Sequence, residues 1–254
     1  MTDPNSHGLA QLRVAVVSRA GGVFRNAIRQ PLITCAVCAT PVDGWERCFP
    51  CAQHHARHGD QLADAVGVVT YAVERAQSGY VMRGYKAQPR CVEEHRTTLR
   101  MITALAVHVH TPCVGSSVGT PATHWATVPT LPRSSLPHPI TELVSPFAHG
   151  LEVPLVAASS VSNPRGLDGS HFSAKSRDLP AGAHVLLVDD TWTGGGHAQS
   201  AVLALRTAGA AYVSVLILGR WLKPSFASNA VFIRERLTAD FDPMICPWTG
   251  ASCP

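Results

Sequence analysis

One stretch constrains the fold of this chain more than any other: AHVLLVDDTWTGGGHAQSAVLALRTAG, residues 183–209. Four apolar residues (185–188), rich in β-branched side chains, have the composition of a central parallel strand buried on both faces. Asp189 and Asp190 follow at its tip, then a loop with three consecutive glycines. Ala198, Ala201, Val202 and Leu205 next fall on one helical stripe, and Gly209 supplies a stop. The apolar run YVSVLIL (212–218) closes a strand–loop–helix–strand unit. Such a unit commits its two strands to lie parallel, with the helix covering one face of the sheet.

The chemistry of the loop follows from that placement. Glycines let the backbone approach a ligand closely, and the N–H groups of the loop and of a helix start form a site for an anion. Carboxylates beside a phosphate would repel it, unless the ligand also presents hydroxyls or a hydrated divalent cation. A ribose 5-phosphate does so. A Walker loop would need Gly-Lys-Ser/Thr, and no lysine is present; the dinucleotide fingerprint wants its acid about 20 residues after the glycines.

The segment resembles the phosphoribosyl pyrophosphate (PRPP) motif of type I phosphoribosyltransferases: four apolar residues, two acids, two variable positions and a Thr/Gly-rich turn. The resemblance implies that Asp189 and Asp190 hold the ribose hydroxyls, while Thr193, Gly194, Gly195, Gly196 and His197 wrap the 5′-phosphate. Gly194 stands where a Thr is common, and His197 where a closing Thr is usual.

A second cluster is CAVCATPVDGWERCFPC. Cys35, Cys38, Cys48 and Cys51 form two CxxC pairs nine residues apart, the spacing of a four-thiolate structural Zn²⁺ site with no open position. His54, His55 and His58 read as solvated helix residues, because four sulfurs leave them no vacancy. Cys91, Cys113, Cys246 and Cys253 read as ordinary thiols, and no second metal site is expected from CPWTGASC. A zinc knuckle ahead of such a domain resembles the competence-associated ComF family. Further matches are Tyr71 in an apolar strand, RGYKAQP (83–89), ATVPT (126–130) and NPRGLDGSHF (163–172) at a flexible loop. The family's Arg-Gly-Phe-Asn stretch is replaced by PRSSLPHPITELV.

The resemblance implies a type I phosphoribosyltransferase fold, an α/β parallel sheet flanked by helices, with a small N-terminal zinc module. It implies PRPP and Mg²⁺ as substrate and cofactor beside structural Zn²⁺, with ribose 5-phosphate passed to a small-molecule acceptor, such as a nucleobase, as pyrophosphate leaves. Val128, Pro129 and Thr130 would form the pyrophosphate loop and Lys86 a diphosphate ligand. Arg165 is the catalytic candidate of the flexible segment, with Lys175 and Arg177 as further lid cations. Two other readings are a non-catalytic PRPP or nucleotide sensor and a DNA-handling accessory protein.

The expected divisions are 1–30 (tail, with a helix over 13–28), 31–60 (knuckle), 61–223 (transferase-like domain) and 224–254 (tail). Residues 159–180 read as a mobile loop. With 46% apolar and 15% charged residues, the 254-residue chain can build a full core. A net charge of +4 suits a phosphorylated small molecule and does not favour nucleic acid. No signal peptide is legible, and no apolar run approaches the ~18 residues of a membrane span. The cytoplasm is therefore the expected location, without a membrane partner, and a homodimer is compatible with the sequence.

Overall fold

The strands are built from the β-branched apolar runs of the sequence, and their faces are set by simple alternation. The structure is a computed structural model that describes residues 4–87, 90–134, 138–176 and 178–254, with side chains from residue 8 onward. The elements are α1 (Pro4–Ala20), α2 (Phe49–His58), β1 (Ala65–Val73), α3 (Gln77–Gly84), α4 (Glu93–Val118), β2 (His124–Thr127) and α5 (Pro139–Val144). There follow β3 (Leu151–Glu152), β4 (Leu155–Ala157), β5 (Phe172–Ala174), β6 (His184–Trp192), α6 (Gly196–Thr207), β7 (Tyr212–Leu222) and α7 (Asn229–Arg236).

Five strands make one parallel sheet in the order β1-β7-β6-β2-β3. β4 and β5 form a separate antiparallel pair. Val185 and Leu187 of β6 pack with Ala198, Ala201, Val202 and Leu205 of α6. Leu186 and Val188 face the other way, onto Leu99, Ile102 and Leu105 of α4 and Ile140 and Leu143 of α5. The run 185–188 thus feeds two cores. Each such aliphatic side chain contributes about 1.5–3 kcal/mol when fully removed from water.

The topology locates a crevice. The connection β6–α6–β7 steps toward the β1 edge, and β2–α5–β3 steps the opposite way, so the chain reverses its winding between β6 and β2. Ligands of open parallel sheets bind outside the carboxyl ends of strands at such a point.

Several expectations are corrected. The N-terminal helix runs over Pro4–Ala20, not 13–28, so residues 4–11 are no loose tail. It ends where Gly21 donates to the Val17 carbonyl. Residues 25–27 then lie along the free edge of β1, where Ala27 N–H donates to Val69 and Tyr71 N–H to Arg25. An edge strand left open would invite pairing with another chain, and this segment covers it. Part of the segment 159–180 is ordered as β5 against β4; Arg177 lies outside the described residues. The 224–254 tail contains α7. One helix, α4, is long and apolar enough to cross a membrane, contrary to the expectation, but half of that window is buried inside the fold.

Candidate functional site

β6 continues through both aspartates to Trp192, because their backbones still pair with β7: Asp189 opposes Ile217 and Thr191 opposes Gly219. The acids therefore sit inside the end of a central strand, Asp189 7% and Asp190 3% exposed. Beside them opens a cavity of about 490 Å³. Among the residues lining it are Lys86, Val128, Pro129, Thr130, His138, Asp189, Asp190, Thr193 and His197. It lies at the crevice between β6 and β2, and it brings together sequence-predicted residues from three separate stretches of chain.

The two acids have different partners. The Asp190 carboxylate accepts from the Tyr85 hydroxyl at 2.5 Å and from Lys86 Nζ at 2.6 Å, and His138 Nε2 lies 3.7 Å away. Burial works against its ionisation, but the Lys86 ammonium, with His138 and Tyr85, holds it below the usual carboxylate range. Asp189 accepts from the Asp190 N–H at 2.8 Å. Burial, with the Asp190 charge beside it, pushes its carboxyl up to about 8. Near neutral pH the pair carries one negative charge, so one member can donate a hydrogen bond and the other only accepts.

His138 was not singled out in the sequence, although HPITEL reads as a helix start. Its Nδ1 accepts from the Ile140 N–H at 3.1 Å, capping α5, which leaves the proton of the neutral ring on Nε2 facing Asp190. Burial lowers its pKa against the pull of Asp190. Tyr85 is placed by the end of α3, and burial first, then the Asp190 charge, raises its hydroxyl well above 10.

The glycine turn is held from beneath by a residue sequence reasoning missed. Arg220 lies inside β7 and is 7% exposed. Its guanidinium donates to the carbonyls of Trp192 at 2.7 Å, Thr193 at 3.0 Å and Trp221 at 2.8 Å. In a trans peptide the next N–H is antiparallel to the carbonyl, so the amides of Thr193 and Gly194 face away from the guanidinium. No local sequence signal marks this role; only the length of the strand does.

Gly195 is the N-cap of α6 at φ +86°, and a Cβ there would lie 2.3 Å from the Trp192 ring. Only glycine meets both conditions. A Cβ on Gly196 would lie 2.4 Å from the Arg165 carbonyl oxygen, so the 164–166 turn packs directly over the start of α6. His197 Nε2 donates to the Pro164 carbonyl, and its ring stands edge-on to Phe172 at 6.4 Å. The histidine thus joins that turn to the helix mouth. The Arg165 and Lys175 side chains are exposed, and neither lines the cavity.

The four knuckle cysteines converge, all Sγ atoms lying within 4.8 Å of one another, and Cys38 and Cys48 are 3.7 Å apart. Zn–S bonds of about 2.3 Å in a tetrahedron require S···S edges of about 3.8 Å, so the donor set fits a structural zinc ion. Tyr71 of β1 donates to the Ala39 carbonyl of the knuckle at 2.7 Å, and its register partner on β7 is Arg220. Three of the remaining cysteines, read in the sequence as ordinary thiols, are drawn together with a histidine. Cys113, Cys246 and Cys253 meet His110 within 4.8 Å, because the tail folds back across α4.

No family model matches the chain, and no curated protein matches it. Among solved structures it is similar to an adenine phosphoribosyltransferase from Leishmania donovani, with 16% identity and a TM-score of 0.34. That similarity covers 62% of this chain and 69% of the other.

Proposed function

We propose that the cavity between β6 and β2 binds PRPP and that the chain is a phosphoribosyltransferase, with ribose 5-phosphate passed to a small-molecule acceptor. The observation that carries this reading is the buried acid pair with a single charge, set between a glycine turn at a helix N-terminus and a lysine–histidine wall. A sugar phosphate needs these two surfaces side by side: paired carboxyls for adjacent hydroxyls, and amides with a positive helix end for the phosphate.

In this reading Asp190 accepts from one ribose hydroxyl, and Asp189, protonated, exchanges hydrogen bonds with the other. Thr193, Gly194, Gly195 and Gly196 offer amides to the 5′-phosphate, and His197 fixes the loop above them. Val128, Pro129 and Thr130 border the diphosphate side, where Lys86 supplies positive charge after leaving Asp190. Arg165 reaches the diphosphate only if its turn shifts. Mg²⁺ bound with the diphosphate would screen its charge as it departs, and the two acids are the hard oxygen donors at hand. Stabilisation of separating charge in a water-poor pocket would be the main catalytic contribution. The knuckle, the cavity and the RGYKAQP segment together support kinship with the ComF family.

Calorimetry with PRPP and Mg²⁺ tests the site. The double variant Asp189→Asn, Asp190→Asn is expected to lose measurable binding while its circular dichroism stays that of the wild type; unchanged affinity would refute the proposal. Two observations favour a second reading, a sensor that binds without turnover: Lys86 is already paired with Asp190, and His197 is tied to Pro164. PRPP binding with no pyrophosphate release across a panel of bases would select the sensor.

A further inference from the structure

We propose that His110, Cys113, Cys246 and Cys253 form a second structural zinc site that fastens the C-terminal segment to α4. The donors come from two places. His110 and Cys113 are three residues apart on α4 and so share one face of the helix. Cys246 and Cys253 lie seven residues apart across a turn in which Gly250 (φ +74°) donates to the Cys246 carbonyl and Cys246 to that of Ala251, both at 2.8 Å. All four ligand atoms lie within 4.8 Å of one another.

The histidine is already set as a ligand. Its Nε2 lies 2.9 Å from the Pro243 carbonyl, an acceptor only, so Nε2 carries the proton. Nδ1 then keeps its lone pair, and it faces the sulfurs, 3.3 Å from Cys253 Sγ. Metal-bound histidines are held in this way, with the second nitrogen donating to a carbonyl that fixes ring and tautomer. Three sulfurs and one imidazole close a tetrahedron without an open position, a set that suits zinc and a structural role.

The surroundings match the charge such a site would carry. Three thiolates and a neutral imidazole around Zn²⁺ leave one net negative charge. Arg29 donates to the carbonyl of Pro247, next to Cys246, at 3.1 Å, and to that of Ala36, next to Cys35, at the same distance. One guanidinium therefore stands between the two thiolate clusters. The segment also has little regular structure to hold it beyond α7. Its other anchors include the Trp248 ring over Gly67, where a Cβ would lie 2.8 Å from the ring, the bond from Val68 N–H to Pro247, and those between Asn26 and Asp242.

The test is metal content of the full chain purified from zinc-supplemented medium under reducing conditions. About two zinc ions per chain are expected, falling to about one in Cys246→Ser and in Cys253→Ser. Cys253 is exposed, so its serine variant keeps the fold even if Cys246→Ser does not. X-ray absorption of the wild type should fit seven sulfurs and one nitrogen over the two ions. One zinc per chain in the wild type, unchanged in Cys253→Ser, would overturn the proposal, as would a disulfide among Cys113, Cys246 and Cys253 in the zinc-loaded protein.

Discussion

Asp189 shows how a single side chain can make folding and binding depend on pH in an unusual sense. Its pKa is raised to about 8 in the folded state, so between the ordinary carboxylate value near 4 and about 8 the native state holds a proton that the unfolded chain has released. Stability from this group therefore falls as pH rises through that window. Asp190, held below its ordinary value, contributes in the opposite sense, at lower pH. Asp189→Asn is expected to remove the fall: its Tm should gain on that of the wild type between pH 5 and 8. Parallel thermal melts at several pH values check this, and two curves that stay a fixed distance apart would contradict the assignment. The acid pair was legible in the sequence because both residues adjoin the apolar run. Their unequal charge was not, because it depends on Lys86 and His138, which arrive from distant segments.

At the scale of the element, the β6–turn–α6 unit was the most legible part of the chain. A strand buried on both faces needs a continuous apolar run, and a helix packed on one face needs a stripe, and both patterns are local. The strand's true length was not visible, because Asp189, Asp190 and Arg220 look like turn or tail residues until the neighbouring strand pairs with their backbones. The 13–28 helix failed for a related reason: the helical pattern is weak there, and residues 25–27 gain more by covering the edge of β1. Gly195 is the position on which this unit turns. Gly195→Ala should cost about 3 kcal/mol, from the left-handed backbone and the overlap with the Trp192 ring. Denaturant unfolding measures this, and Gly194→Ala, where a Cβ meets nothing within 4 Å, is the matched control expected near wild type.

Across the whole molecule, the sheet order was not readable from sequence, since strands distant in the chain become neighbours only when both cores form. The knuckle was readable from spacing alone, whereas the tail cysteines were not: their partners His110 and Cys113 lie more than 130 residues away, and only the packed fold brings them together. The knuckle, β1 and β7 form a mechanical series: four-cysteine loop, Tyr71, Arg220, glycine turn. Breaking the knuckle with Cys48→Ser, which leaves the tail cluster untouched, should therefore weaken PRPP affinity without altering any group inside the cavity. Calorimetry on this variant and the wild type, with circular dichroism to verify that the sheet persists, reads this effect; equal affinity in the two proteins would break the series. A cell starved of zinc would then lose grip on the sugar phosphate first, through slackening of a distant prop, while every residue that touches the ligand stayed intact.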